Sequence, residues 1–119
     1  MDYKDSLKIK MDNYVHFVYR ITKLLPREEI YGIVSQISRA ALSVILNYIE
    51  GYARRKPAVQ LNFFEISYGS LKESEYLLRF SYEENYLSKD DYDLGSKMAD
   101  EIGAMLYTEI TNLEKKIKR

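Results

Sequence analysis

The ten residues Ala40-Ala41-Leu42-Ser43-Val44-Ile45-Leu46-Asn47-Tyr48-Ile49 hold only two polar side chains, Ser43 and Asn47. The stretch is about half the ~20 residues that cross a bilayer, so it reads as part of a buried helix. Its surroundings supply the period. Ile30, Val34, Ile37, Ala41, Val44 and Tyr48 step by four and three residues, the spacing of a helix that presents one seam. Leu42, Ile45, Leu46 and Ile49 fall off that seam and carry apolar surface onto other faces. In a four-helix bundle each helix keeps a solvent face. This helix, predicted from Arg27 to Tyr52, therefore has more apolar surface than three companions cover. The economical cover is another copy of the chain. A wide intramolecular face closed by the N-terminal segment is the alternative.

Three further segments share the period. Leu7, Met11, Tyr14, Val18, Ile21 and Leu25 form the seam of a first helix, which Pro26 ends because it lacks an N–H and disfavours helical geometry at Leu25. Glu28 and Glu29 then complement the positive end of the second helix, and almost no loop separates the two. Pro57 opens a third helix at the favoured first position and carries it to about Tyr86. Phe64, Tyr68, Leu71, Leu78 and Tyr82 make its seam, interrupted by Glu75. Ser67, Ser70 and Ser74 make a stripe of small side chains, a packing groove for another backbone. Gly69 lowers helix propensity by about 1 kcal/mol and points to a contact that tolerates no Cβ. Ser88 and Asp91 form a variant of the capping box at the start of a fourth helix. Met98, Ile102, Leu106, Ile110, Leu113 and Ile117 line it, and Lys115, Lys116, Lys118 and Arg119 load its last turn. No strand pattern occurs. The expected fold is all-α, an up-down-up-down antiparallel four-helix bundle in a single domain over residues 1–119.

Composition narrows the function classes. Eighteen Lys and Arg balance eighteen Asp and Glu, and 46% of residues are hydrophobic, which excludes a disordered, highly charged tail. There is no cysteine, so disulfides, thiolate zinc sites and cysteine nucleophiles are excluded together. A di-iron bundle needs two Glu-x-x-His pairs, whereas His16 is the sole histidine and no Glu precedes it by three residues. No phosphate-binding, dinucleotide-binding or nucleophile-elbow motif is present. His16 reads as a surface residue. The reading is a non-enzymatic protein with no metal and no cofactor. The polar N-terminus carries no secretory signal, and the expected location is cytoplasmic, without a membrane association.

Neutrality hides segregation. Residues 1–27 carry six basic and three acidic groups, residues 73–101 three basic and nine acidic, and residues 113–119 four basic and one acidic. Arg54-Arg55-Lys56 sits between the second and third helices, with Arg39 three to four turns back. Such a cluster can contact phosphates, or it can be a solvated helix C-terminus whose cations offset the dipole. Of the twelve tyrosines, most sit at heptad positions, which reads as core or interface rather than base stacking.

The run Arg39-Ala40-Ala41-Leu42-Ser43-Val44-Ile45-Leu46-Asn47-Tyr48-Ile49-Glu50-Gly51-Tyr52-Ala53-Arg54 resembles the signature of a bacterial four-helix-bundle family. That family comprises proteins encoded in intervening sequences of large-subunit ribosomal RNA genes, and the related accessory variability determinants of diversity-generating retroelements. Arg39, Ala41, Ser43, Asn47, Glu50, Gly51 and Arg54 match its first motif. Phe63 or Phe64, Gly69, Ser70 and Glu73 match its second, with Ser67 in place of the usual Ala. Ile45 departs where Pro is common, and Tyr48-Ile49 stands for Ile-Ala. The resemblance implies a ring-like homopentamer. It also implies, for the retroelement branch, binding of a reverse transcriptase and its template RNA through a basic surface; that branch is strongly basic, whereas this chain is neutral.

Within the signature a structural role is expected for Ser43, Asn47, Glu50, Gly51, Gly69, Ser70 and Glu73. Asn47 and Glu50 are expected to hydrogen-bond the connection between the second and third helices, with Glu50 paired to an arginine, and Gly51 to permit close approach or the turn. Two functions follow. In the first, Arg39, Arg54, Arg55 and Lys56 repeat around a ring and contact RNA or a reverse transcriptase, avidity offsetting weak single contacts. In the second, the oligomer is a scaffold for another protein, through the acidic stretch from Glu73 to Glu101 or the ring rim.

Overall fold

A computed structural model describes residues 2–118. Its elements are α1 (Tyr3–Thr22), a 3-10 turn (Arg27–Glu29), α2 (Ile33–Ala53), α3 (Pro57–Glu83) and α4 (Lys89–Ile117). Among the described residues there is no strand. Arg119 lies outside the described residues. No described helix is long and apolar enough to cross a membrane. The helices pack in the cyclic order α1, α2, α3, α4 and back to α1, and α2 with α3 is the most extensive pair. The molecule measures 49 × 25 × 22 Å, two helices wide in each short direction.

The α1 seam is buried at every predicted step, with Leu7, Met11, Tyr14, Val18 and Ile21 fully inaccessible and Leu25 nearly so. Asp2 caps α1 by accepting from the Asp5 N–H at 2.8 Å. Ser88 caps α4 in the same way, its Oγ accepting from the Asp91 N–H at 3.1 Å. Ile102, Leu106, Ile110 and Leu113 continue the core along α4, joined by Ala99, whereas Ile117 projects into solvent.

The second helix departs from expectation at its start. Arg27 to Glu29 form one 3-10 turn, and α2 begins only at Ile33. Pro26 is extended, at φ −57° and ψ 146°, and no side chain caps the helical turn that follows it. Tyr31 is 94% exposed and Ile30 52%, so neither anchors a continuous helix to the core. Ile37, Ala41, Val44 and Tyr48 are buried as the period requires.

The third helix also departs, at its seam and its end. Phe64, Leu71 and Leu78 are buried as the period requires, whereas Tyr68 and Tyr82 stay partly exposed and three serines join the core: Ser67, Ser74 and Ser81 are inaccessible. Each satisfies its hydroxyl. Ser67 donates to the Val44 carbonyl at 2.6 Å, Ser74 to Leu71 at 2.7 Å and Ser81 to Leu77 at 2.8 Å. The Tyr14 hydroxyl lies 2.7 Å from Ser74 Oγ, and burial raises the Tyr14 pKa well above the ordinary value. Glu75 turns aside to Lys72, at 3.3 Å. The helix stops at Glu83, three residues short of Tyr86, because Asn85 adopts a left-handed conformation with φ 63°. The Tyr86 N–H then reaches back to the Ser81 carbonyl at 2.8 Å and the Asn85 N–H to Tyr82 at 3.0 Å, the paired bonds of a Schellman stop. The tyrosines as a class are less buried than heptad placement suggests: Tyr14 and Tyr48 alone are inaccessible, while Tyr31, Tyr76 and Tyr107 are more than half exposed.

Two glycines have opposite reasons. A Cβ at Gly51 would lie 2.6 Å from the Phe64 ring, so α2 reaches α3 here only without a side chain. At Gly69 nothing stands within 4 Å of the position a Cβ would take. The expected crowding around Gly69 is therefore not found within the chain. Urea unfolding of the dilute chain should show Gly51→Ala losing roughly 1–3 kcal/mol through overpacking, and Gly69→Ala gaining roughly 0.5–1 kcal/mol from helix propensity.

Candidate partner interface

The three-residue connection between α2 and α3 holds the basic cluster. Arg54 and Lys56 are both extended there, at φ −89°, ψ 147° and φ −85°, ψ 126°, and Pro57 starts α3 without a side-chain cap. Arg54, Arg55 and Lys56 surround a shallow depression together with Ala53 and Val59. The positive end of the α3 dipole adds to their field.

The three cations are not equivalent. The Arg54 guanidinium pairs with Glu50 at 3.0 Å, one turn back on α2, and lies 5.1 Å from the centre of the Phe63 ring. Its carbonyl accepts from Gln60 Nε2 at 3.0 Å. Arg54 thus splices the end of α2 to the first turns of α3, and Glu50 has the arginine partner expected of it. Arg55 and Lys56 are exposed and have no ion-pair partner among the described residues. Arg39 is exposed too, but fifteen residues away along α2, about 22 Å at 1.5 Å per residue. It does not join the cluster.

The other signature residues divide into two groups. Ser43, Asn47, Ser70 and Gly51 build the α2–α3 seam. Ser43 Oγ and Ser70 Oγ are 2.7 Å apart across it, and Asn47 Nδ2 donates to both the carbonyl and the hydroxyl of Ser43 at 2.9 Å. Asn47 therefore bonds backward along its own helix, not to the connection as expected, because its side chain faces the preceding turn, where Ser43 offers two acceptors. Gly69 and Glu73, one turn apart on α3, are exposed and make no such bond. Outward from the seam, α2 presents Leu46, 57% exposed, and Ile49, 46% exposed, beside the partly covered Leu42. α1 covers only part of this surface: Ile45 borders a depression shared with Ile9, Asp5, Lys8 and Asp12.

A feature that the sequence reading passed over closes the same end of the bundle. Tyr48 and Tyr52, one turn apart, both donate to the carboxylate of Glu109 on α4. Their ring centroids are 5.1 Å apart, and each lies 5.2 Å from that of Phe64. The Tyr48–Tyr52 spacing was visible; the acceptor 57 residues on was not. Tyr52 also borders a cleft of about 350 Å³ lined by Tyr3, Gln60, Asn112 and Lys116 among others. Among the described residues no group of three His, Cys, Asp or Glu side chains is placed to hold a metal ion, and His16 sits in solvent near Asp12, at 3.5 Å.

The sequence profile of the family described as "23S rRNA-intervening sequence protein" matches residues 7–108. The chain belongs to that family. A solved structure with a closely similar fold is a protein of unknown function from the S23 ribosomal protein family of Bacteroides thetaiotaomicron. It is 22% identical to the chain, covers 92% of it and 99% of its own length, and superposes with a TM-score of 0.85. No curated protein matches. In this member of the family Ser43, Asn47, Gly51 and Ser70 serve one helix seam, whereas Gly69 and Glu73 do not.

Burial, then the bond to Glu109, pushes the Tyr52 pKa up to about 12, and the same causes raise Tyr48 further. A phenol whose folded pKa lies above its unfolded value of 10 contributes stability that is complete below pH 10 and lost as pH rises from there toward the folded value. Unfolding free energies measured between pH 9 and 12 should therefore fall, and the fall should be shallower in a Tyr48→Phe, Tyr52→Phe double variant.

Proposed function

We propose that the protein is a non-enzymatic, self-associating helical module whose assembly presents a repeated basic rim to RNA. In this reading the helices run up-down-up-down antiparallel. Residue numbers descend on one side of each seam as they rise on the other, as in Gly51 with Phe64 and Ser43 with Ser70, or Lys10 with Glu101 and Arg20 with Asp91. Copies then join into a ring, a homopentamer by resemblance to the family, through the outer face of α2.

The observation that carries this reading is the exposure of Leu46 and Ile49, next to Leu42, on a helix whose opposite face is fully packed. Isolated apolar side chains on a surface need no explanation, but a continuous stripe along one helix marks a contact. Repetition supplies the rest. One copy offers Arg55 and Lys56, cations with no ion-pair partner among the described residues, a weak anchor for a phosphate backbone; a ring offers the pair several times, and linked weak contacts multiply. A role as a scaffold contacted through the acidic stretch has less support, since Asp91, Asp93 and Glu101 are already paired with Arg20, Lys89 and Lys10.

Sedimentation equilibrium at micromolar concentration should report a mass several times that of the chain, and a Leu46→Glu, Ile49→Glu variant should sediment as a folded protomer. A wild-type chain that stays a lone protomer overturns the assembly. Structured RNA should bind at low salt and weaken steeply as salt rises, with a loss of about tenfold or more when Arg54, Arg55 and Lys56 are changed to Glu. Absence of RNA affinity at low salt overturns the rim. Nuclease-resistant capture of a reverse transcriptase by a chain without RNA affinity would move the same rim to a protein partner.

A further inference from the structure

We propose that the outer stripe of α2 docks into a groove between α3 and α4 of the next copy, and that Gly69 lacks a side chain in order to receive it. The inference rests on the self-association argued above and names the second surface that it requires.

The groove has a volume of about 450 Å³ and is lined by Glu65, Tyr68, Gly69, Tyr107, Ile110 and Glu114. Tyr68 and Tyr107 pack against each other on its lining, with ring centroids 6.2 Å apart, and Tyr107 is 59% exposed. Gly69 is the anomaly. It sits inside a helix 27 residues long, with an ordinary negative φ and open space where its Cβ would be, so nothing in its own chain requires a glycine. Any side chain at this position would stand in the groove. A glycine in an exposed helix interior weakens the helix, and here only a contact from outside the chain gives that weakness a return.

Charge selects the occupant. Glu65 and Glu114 flank the groove and are free of ion pairs among the described residues; Lys72, which lies over Tyr68, is held by Glu75. The α2 stripe has the opposite pattern. Leu42, Leu46 and Ile49 follow one another by four and three residues, Arg39 stands one turn before them, and Arg55 lies just beyond the helix end, both arginines without an ion-pair partner among the described residues. An apolar stripe with cations at its ends thus matches an aromatic groove with carboxylates at its edges. The two surfaces differ, so the contact is head-to-tail. Such a contact generates a ring when the rotation between copies closes, in contrast to the self-matching patch of a two-fold dimer.

Analytical ultracentrifugation of four full-length variants tests the match, with circular dichroism confirming that each is folded. Glu65→Lys with Glu114→Lys, and separately Arg39→Glu with Arg55→Glu, should each weaken association by about tenfold or more through like-charge apposition. All four changes in one chain restore the complementarity and should return association to near the wild-type level. Gly69→Leu should also weaken association, while its protomer unfolds at a temperature no lower than wild type. The groove is overturned if the Gly69→Leu chain and both charge-reversed chains assemble like wild type, or if the four-change chain is no better than either pair. Those results leave self-association itself standing. A wild-type chain that never associates removes the reading beneath it as well.

Discussion

The closeness of α2 and α3 governs the molecule. Four small residues permit it. Ser67 slips under α2 far enough to donate to the Val44 carbonyl at 2.6 Å, Ser43 and Ser70 touch through their hydroxyls, and Gly51 yields its side-chain volume to Phe64. A buried hydroxyl without a partner would cost roughly 1–3 kcal/mol, so each serine is tolerable only because an acceptor lies within reach. The seam is therefore narrow and polar where an ordinary heptad seam is wide and greasy. Large apolar residues that such a narrow seam cannot house, Leu46 and Ile49, are left facing outward.

This explains which parts of the fold were legible in the sequence. The seam of the first helix was, because every position on it is a large apolar residue; Val15 and Phe17, also buried, fall off the period and were not. The third helix was so only in part. Phe64, Leu71 and Leu78 are buried as their period predicts, but Ser67, Ser74 and Ser81 are buried too and read as polar, while Tyr68 and Tyr82 follow the period yet stay partly exposed. The Schellman stop at Asn85 rests on a backbone conformation that asparagine accepts but does not advertise. The 3-10 turn at Arg27 arose from missing anchors, Ile30 and Tyr31, and periodicity registers the presence of apolar residues more readily than their failure to reach a core.

The candidate interface was legible as composition and not as geometry. Arg54, Arg55 and Lys56 are adjacent in sequence, yet Arg54 faces Glu50 and Phe63 and belongs to the splice between helices, while its two neighbours look outward. The cluster thus divides residue by residue, one arginine held in the protein and two cations facing solvent. The signature divides likewise. Ser43, Asn47, Gly51 and Ser70 serve the seam, whereas Gly69 and Glu73 lie on the far side of α3 with no intramolecular duty. Family membership thus bundles residues of two kinds, and only their surroundings separate them.

The Tyr86 hydroxyl donates to Glu29 at 3.1 Å and so pins the turn after α3 to the turn before α2. Both connections at that end of the molecule are thereby tied to one another, and the opposite end is tied in turn where Tyr48 and Tyr52 on α2 donate to Glu109 on α4. Each end of the bundle thus carries its own tyrosine-to-carboxylate clasp, and any slide of α2 along the long axis would have to break both.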